Sequence, residues 1–133
     1  MTAPFRVLVT GSRDWPSPSV VWAALNDVRA DLLVSGRPLV VVHGACPTGA
    51  DTQAAQWAAV AGQFTTSVQE EAHPANWRPG GVLDRSAGFR RNAAMVQLGA
   101  DVTLAFIKDG SRGATHTADL AEAAGIPVRR WTA

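Results

Sequence analysis

Phe5-Arg6-Val7-Leu8-Val9-Thr10-Gly11-Ser12-Arg13 is a short apolar, β-branched run that stops at a glycine and passes into small and cationic residues. A continuous apolar stretch of this length suits a strand buried on both faces, the form strands take in parallel sheets. The reading is a strand over Phe5–Thr10. Leu39–His43 and Asp101–Ile107 have the same character, and Phe64–Gln69 and Val128–Trp131 are weaker versions of it. Between them lie helical patterns. Val20, Val21, Ala24, Leu25, Val28 and Leu32 recur at helical spacing after a Ser-Pro-Ser start, and Ala50–Ala61, Phe89–Leu98 and Thr117–Ala124 complete the set. Strands alternating with helices predict an α/β domain of the Rossmann-like, doubly wound kind, with a mainly parallel sheet of about five strands covered on both faces.

The chain has 133 residues, 47% hydrophobic and 17% charged, with a formal net charge of +1. That length suits one domain over residues 1–133 with one core, and the apolar fraction excludes a disordered chain. No apolar run approaches the roughly 20 residues of a membrane span, and no signal-peptide pattern opens the chain. A single cysteine, Cys46, forms no intramolecular disulfide and no zinc site, so a cytoplasmic setting is expected. The near-zero net charge disfavours a nucleic-acid binder that works through its overall field.

The loops divide into two kinds. After each predicted helix comes a short return with one glycine, Gly36, Gly62, Gly99 or Gly125, read as helix caps. After three of the strands come longer stretches rich in Gly, Ser, Thr, Arg and His: Gly11–Trp15, Gly44–Asp51 and Asp109–Thr117. In an open parallel sheet these loops share the carboxyl edge, where ligands bind at a topological switch point. Glycines there let a ligand approach the backbone, and the following helices offer free N–H groups to an anion. Ser12, Thr48, Ser111, Thr115 and Thr117 are candidate hydroxyl donors, and Arg13 and Arg112 candidate phosphate partners. Gly, Ser and Thr are also ordinary turn and cap residues, but three such loops on one edge favour a binding site. Neither standard phosphate fingerprint is present. Gly44–Gly49 has P-loop glycine spacing, yet Ala50-Asp51 stands where Lys-Ser/Thr would follow, and the first loop lacks G-x-G-x-x-G. A kinase and a dinucleotide-dependent redox enzyme are therefore disfavoured.

Val7–Arg13, His43–Asp51, Arg90-Arg91-Asn92-Ala93-Ala94-Met95 and Gly110–Leu120, in this order along nearly the whole chain, resemble the YspA/YpsA-related branch of the SLOG superfamily. That superfamily also contains the LOG cytokinin-activating phosphoribohydrolases and the DNA-processing protein DprA. The resemblance implies a Rossmann-like fold whose glycine-rich loops bind nucleotides or nucleotide-derived ligands such as ADP-ribose or NAD derivatives. Carried over to this sequence, it implies ligand contacts at Gly11, Ser12, Arg13, Gly44, Gly49, Asp51, Arg91, Asn92, Gly110, Ser111, Gly113, Thr115 and Thr117. The hydrolases carry P-G-G-x-G-T-x-x-E where this chain has Asp109–Leu120, and their catalytic glutamate has no counterpart: x-x-E from Thr117 ends on Leu120, with Asp119 one position early. Adjacent helical positions differ by about 100°, so Asp119 is a poor substitute. Arg91, Asp119 and His116 remain as candidate catalytic groups.

The middle segment His73–Gly88 has no period and, with Arg78, Arg85, Arg90 and Arg91, is a candidate cover for the ligand edge. Trp15 and Trp77 are candidate base-stacking residues, although tryptophan in a small domain is more often core or interface. Glu70 and Glu71 offer either ribose ligation or a solvated strand end, and His43 either a ligand contact or a satisfied core histidine. The leading expectation is a sensor or carrier of a nucleotide-derived ligand, needing no other cofactor and no metal. The alternatives are a LOG-like hydrolase of an N-glycosidic bond and, third, a DprA-like nucleic-acid binder. A homodimer is expected, and Arg13, Arg91 and Arg112 are expected to converge on one anion.

Overall fold

A computed structural model describes residues 3–133. Five strands, β1 (Phe5–Gly11), β2 (Leu39–His43), β3 (Val68–Ala72), β4 (Val102–Ile107) and β5 (Val128–Thr132), form one sheet in the order β3-β2-β1-β4-β5. Every pairing is parallel, with Phe5 opposite Leu39, Val7 opposite Val102, Leu39 opposite Val68 and Thr103 opposite Val128. Four helices connect them: α1 (Pro18–Asp31), α2 (Ala50–Gly62), α3 (Ala87–Gln97) and α4 (Arg112–Ala123).

The alternation of side chains along β1 explains the two layers. Val7 and Val9 point to one face, where they pack with Val21, Leu25 and Val28 of α1 and with Ala54, Trp57 and Ala58 of α2. Leu8 points to the other, against Met95 and Val96 of α3 and Ala121 of α4. The alanines of α2 and α4 bring helix axes close to the sheet. Because β1 lies at the centre with α1 and α2 on one side and α3 and α4 on the other, the chain reverses direction between β1 and β4. The connections from their paired carboxyl ends leave to opposite faces of the sheet, which fixes the switch point.

Two expected elements are displaced. The third strand is Val68–Ala72 rather than Phe64–Gln69. Phe64 is 82% exposed and closes the end of α2, its N–H donating to Ala61 O. β3 is an edge strand with one buried apolar residue, Val68, and its polar side chains are held by partners instead of by the core. Arg6 clasps Glu71 through two hydrogen bonds of 3.0 and 2.7 Å, and His43 meets Glu70 at 2.8 Å. The fourth helix begins at Arg112 rather than Thr117. Thr117, fully buried, returns its hydroxyl to Gly113 O at 3.0 Å, a bond to the preceding turn that suits a threonine inside a helix.

Candidate functional site

A cleft of about 360 Å³ opens at the carboxyl ends of β1 and β4. Its walls come from the first loop (Gly11–Asp14), from Gly44, Cys46 and Asp51, from the start of α4, and from α3 with Trp77 and Arg85 of the middle segment.

The first loop is pinned by β4, the neighbour of the strand it leaves. Ser12 N–H donates to Phe106 O at 2.9 Å, and Lys108 N–H donates to Ser12 Oγ at 2.8 Å, so the serine hydroxyl stitches β1 to the end of β4 across the switch point. Ser12 O in turn accepts from Ala50 N–H at 3.4 Å, joining the first loop to the start of α2. Gly49 makes this joint possible. Its backbone has φ +77°, and a Cβ there would stand 2.2 Å from Ser12 O.

The second loop hangs from His43, which is 3% exposed. Ala45 N–H donates to His43 Nδ1 at 2.9 Å. A backbone N–H only donates, so the ring proton sits on Nε2, which donates to Glu70. His43 is thus a buried positioning group, and it holds Ala45 at a left-handed φ of 57°. Beyond it Asp51, on the first turn of α2, accepts from Cys46 N–H at 3.3 Å. Burial pushes the Asp51 carboxyl above its ordinary pKa, against the opposing pull of that N–H and of the Arg91 charge. Burial, and then Asp51, push the Cys46 thiol up as well, which makes it a poor nucleophile.

Arg91 crosses the cleft from α3. Its Nη1 donates to Gly44 O and, at 3.2 Å, to His73 O, while Nε donates to Asn92 Oδ1 at 2.7 Å. A Cβ on Gly44 would lie 2.6 Å from the guanidinium carbon, so the glycine makes room for the arginine rather than for a ligand. All of these partners are neutral. Arg13 lies 5.7 Å over the Trp77 ring, and Arg85 lines the same cleft. Among the described residues none of the three is ion-paired with a carboxylate, whereas Arg6, Arg37, Arg90, Arg130 and Lys108 all are. The start of α4 supplies more positive potential, because the N–H groups of Gly113 and Ala114 lie in its first turn, where no intrahelical acceptor exists.

Of the residues singled out from sequence, Gly11, Ser12, Arg13, Gly44, Asp51, Arg91, Asn92, Ser111 and Gly113 line this cleft. Thr48, Gly49, Gly110, Arg112, Thr115, Thr117, His116 and Asp119 do not. The expected convergence of Arg13, Arg91 and Arg112 is corrected to Arg13, Arg85 and Arg91. The early start of α4 sets Arg112 on an exposed first turn, and the middle segment carries Arg85 into the cleft. His116 packs edge-on against Phe89 at 5.0 Å, and Asp119 pairs with Arg130 at 3.0 Å, so α4 brings no carboxylate to the cleft. Trp15 is core, tilted on Phe106 at 5.5 Å, while Trp77 stands at the rim. Arg85, expected as part of a cover for the ligand edge, lines the cleft, whereas Phe89 was legible only as part of a helix and no spacing in the sequence aims it there. Among the described residues no group of three or more His, Cys, Asp or Glu is placed to hold a metal, and no helix is long and apolar enough to cross a membrane.

The family model of the YspA, cpYpsA-related SLOG family matches residues 5–80, which span β1 to the middle segment. A relative named Gene 61 protein, from Mycobacterium phage D29, is 46% identical over 123 residues, covering 92% of this chain and 93% of the relative. No solved structure matches the chain at a significant level.

Proposed function

Because the chain belongs to the YspA, cpYpsA-related SLOG family, we propose that the cleft binds a nucleotide-derived ligand of the ADP-ribose or NAD class by its phosphate, and that the protein is a sensor or carrier of it. The observation that carries this is that three arginines, Arg13, Arg85 and Arg91, line one cleft without carboxylate partners among the described residues. Like charges brought together repel, and a bridging phosphate turns that repulsion into charge-assisted hydrogen bonding. The first turn of α4 adds N–H donors to the same anion. Trp77, 39% exposed beneath Arg13, offers a face for a base. At about 360 Å³ the cleft is at the small end of ligand sites, which run from about 300 to 1,000 Å³, so it encloses a mononucleotide-sized part of the ligand and leaves the remainder at the mouth.

Binding is favoured over hydrolysis because, among the described residues, only Asp14 and Asp51 bring carboxyl groups to the cleft, and Asp14 is 3.4 Å from Lys108. The working form is taken to be a cytoplasmic homodimer, with Leu33, Val34 and Phe64 as exposed apolar surface available to a second copy. Titration calorimetry with ADP-ribose tests the site. Arg91→Ala and Arg13→Ala are expected to weaken binding by about 10- to 150-fold, the loss of one charge-assisted contact. Affinity unchanged in both folded variants overturns the proposal, and chromatographic release of free base from AMP would move the protein to the hydrolases.

A further inference from the structure

Two polar side chains on the cleft are short of partners. Asp51 is 5% exposed and Asn92 7% exposed, and both line the cavity. Asn92 Oδ1 is occupied by Arg91 Nε at 2.7 Å. Nε–H only donates, so this bond fixes the orientation of the amide and leaves Nδ2, with both its hydrogens, free of protein acceptors among the described residues. Asp51 has Cys46 as its partner, through the N–H on Oδ2 at 3.3 Å and through the thiol beside its carboxyl, and no other residue donates to Oδ1 among the described residues. Neither atom is sealed in the interior, since the buried side-chain atoms without partners are Gln53 Oε1, Thr103 Oγ1 and His116 Nδ1. Asp51 Oδ1 and Asn92 Nδ2 therefore open onto the cleft. A buried carboxyl held only by one long N–H bond and a weakly donating thiol is an expensive arrangement that a ligand hydroxyl completes.

We infer that Asp51 and Asn92 form a subsite for a vicinal diol, the 2′- and 3′-hydroxyls of a ribose. A hydroxyl donates to Asp51 Oδ1 and accepts from Asn92 Nδ2, a double demand that suits an O–H group. The inference rests on the cleft taking the phosphate as proposed above. An amino-bearing base edge also offers a donor beside an acceptor, but the wiring argues for the sugar. Asn92 is bonded directly to Arg91, one of the proposed phosphate-binding cations, and the sugar is the part of a nucleotide joined to the phosphate. The flat aromatic surface for a base is Trp77, which at 39% exposed is far more open than the buried Asp51 and Asn92.

Calorimetric titration with AMP, its 2′-deoxy and 3′-deoxy analogues, and inosine monophosphate tests this on the intact chain. The expected result is binding of AMP and inosine monophosphate alike, with at least one deoxy analogue weaker by about tenfold or more. That discrimination is expected to vanish in Asp51→Ala and in Asn92→Ala, and the second variant keeps the assignment testable if the first does not fold. Deoxy analogues that bind as tightly as AMP overturn the diol subsite and leave the phosphate site standing. A loss confined to inosine monophosphate reassigns the pair to a base edge and overturns it too, as does discrimination that survives in both variants. No saturable binding of any nucleotide removes the phosphate site and the diol subsite together.

Discussion

At Gly44 the absence of a side chain decides where Arg91 sits. In Gly44→Ala the new methyl meets the end of a flexible side chain, which can swing away, so the fold survives while the guanidinium leaves its carbonyl cradle. The expected outcome is a small change in melting temperature with a loss of ADP-ribose affinity of about tenfold, one charge-assisted contact. Gly49→Ala is expected to do the reverse. Its Cβ would meet Ser12 O at 2.2 Å and Arg13 backbone at 2.6 Å, neither of which can give way, from a positive φ that itself costs about 1–3 kcal/mol. Thermal unfolding of the two variants, read beside affinity, separates them. Both glycines were legible in the sequence as members of one glycine-rich loop. Their work was not, because it depends on Arg91 and on the first loop, which reach them only in the folded chain.

Among the elements, β1, β2 and β4 were plain from sequence because each is buried on both faces along most of its length and so is mostly apolar. β3 was misplaced for the opposite reason: an edge strand held by Arg6–Glu71 and His43–Glu70 needs no hydrophobic pattern, and Phe64 offered a false one. The start of α4 was hidden by its composition, since Gly113, Thr115 and Thr117 read as a loop until Thr117 is seen bonding back to Gly113. Gly113 lies in the first turn of α4 without a positive φ, and a methyl added at its Cα would meet no atom within 4 Å, so Gly113→Ala relieves the cost of helical glycine. Denaturant unfolding is expected to show a gain of up to about 1 kcal/mol. A loss would mean that the segment prefers to be the loop that its composition implies.

For the whole molecule, two carboxyl groups drive the pH dependence of stability in opposite directions. Arg6, then His73, hold the Glu71 carboxylate down to a pKa of about 2 from an ordinary 4.5. Its contribution is complete above pH 4.5 and is lost as pH falls toward 2, when the folded state too takes up the proton. Glu71→Gln is therefore expected to destabilise the protein at neutral pH, by a modest amount because the pair is partly exposed, and to converge with the parent near pH 2. Asp51 works the other way. Burial raises its folded pKa above the ordinary 3.8, so as pH climbs past 3.8 the unfolded chain ionises first and the folded state loses ground. Asp51→Asn keeps an acceptor for Cys46 N–H and removes that penalty, so it is expected to be more stable than the parent at pH 7, with the advantage disappearing below about pH 3.8. The same variant is expected to bind AMP more weakly. A substitution that raises the melting temperature while it costs affinity marks a residue retained for its ligand and not for the fold. If Asp51→Asn loses stability at neutral pH, Asp51 belongs to the architecture of the second loop, and the cleft must find its ligand contacts elsewhere.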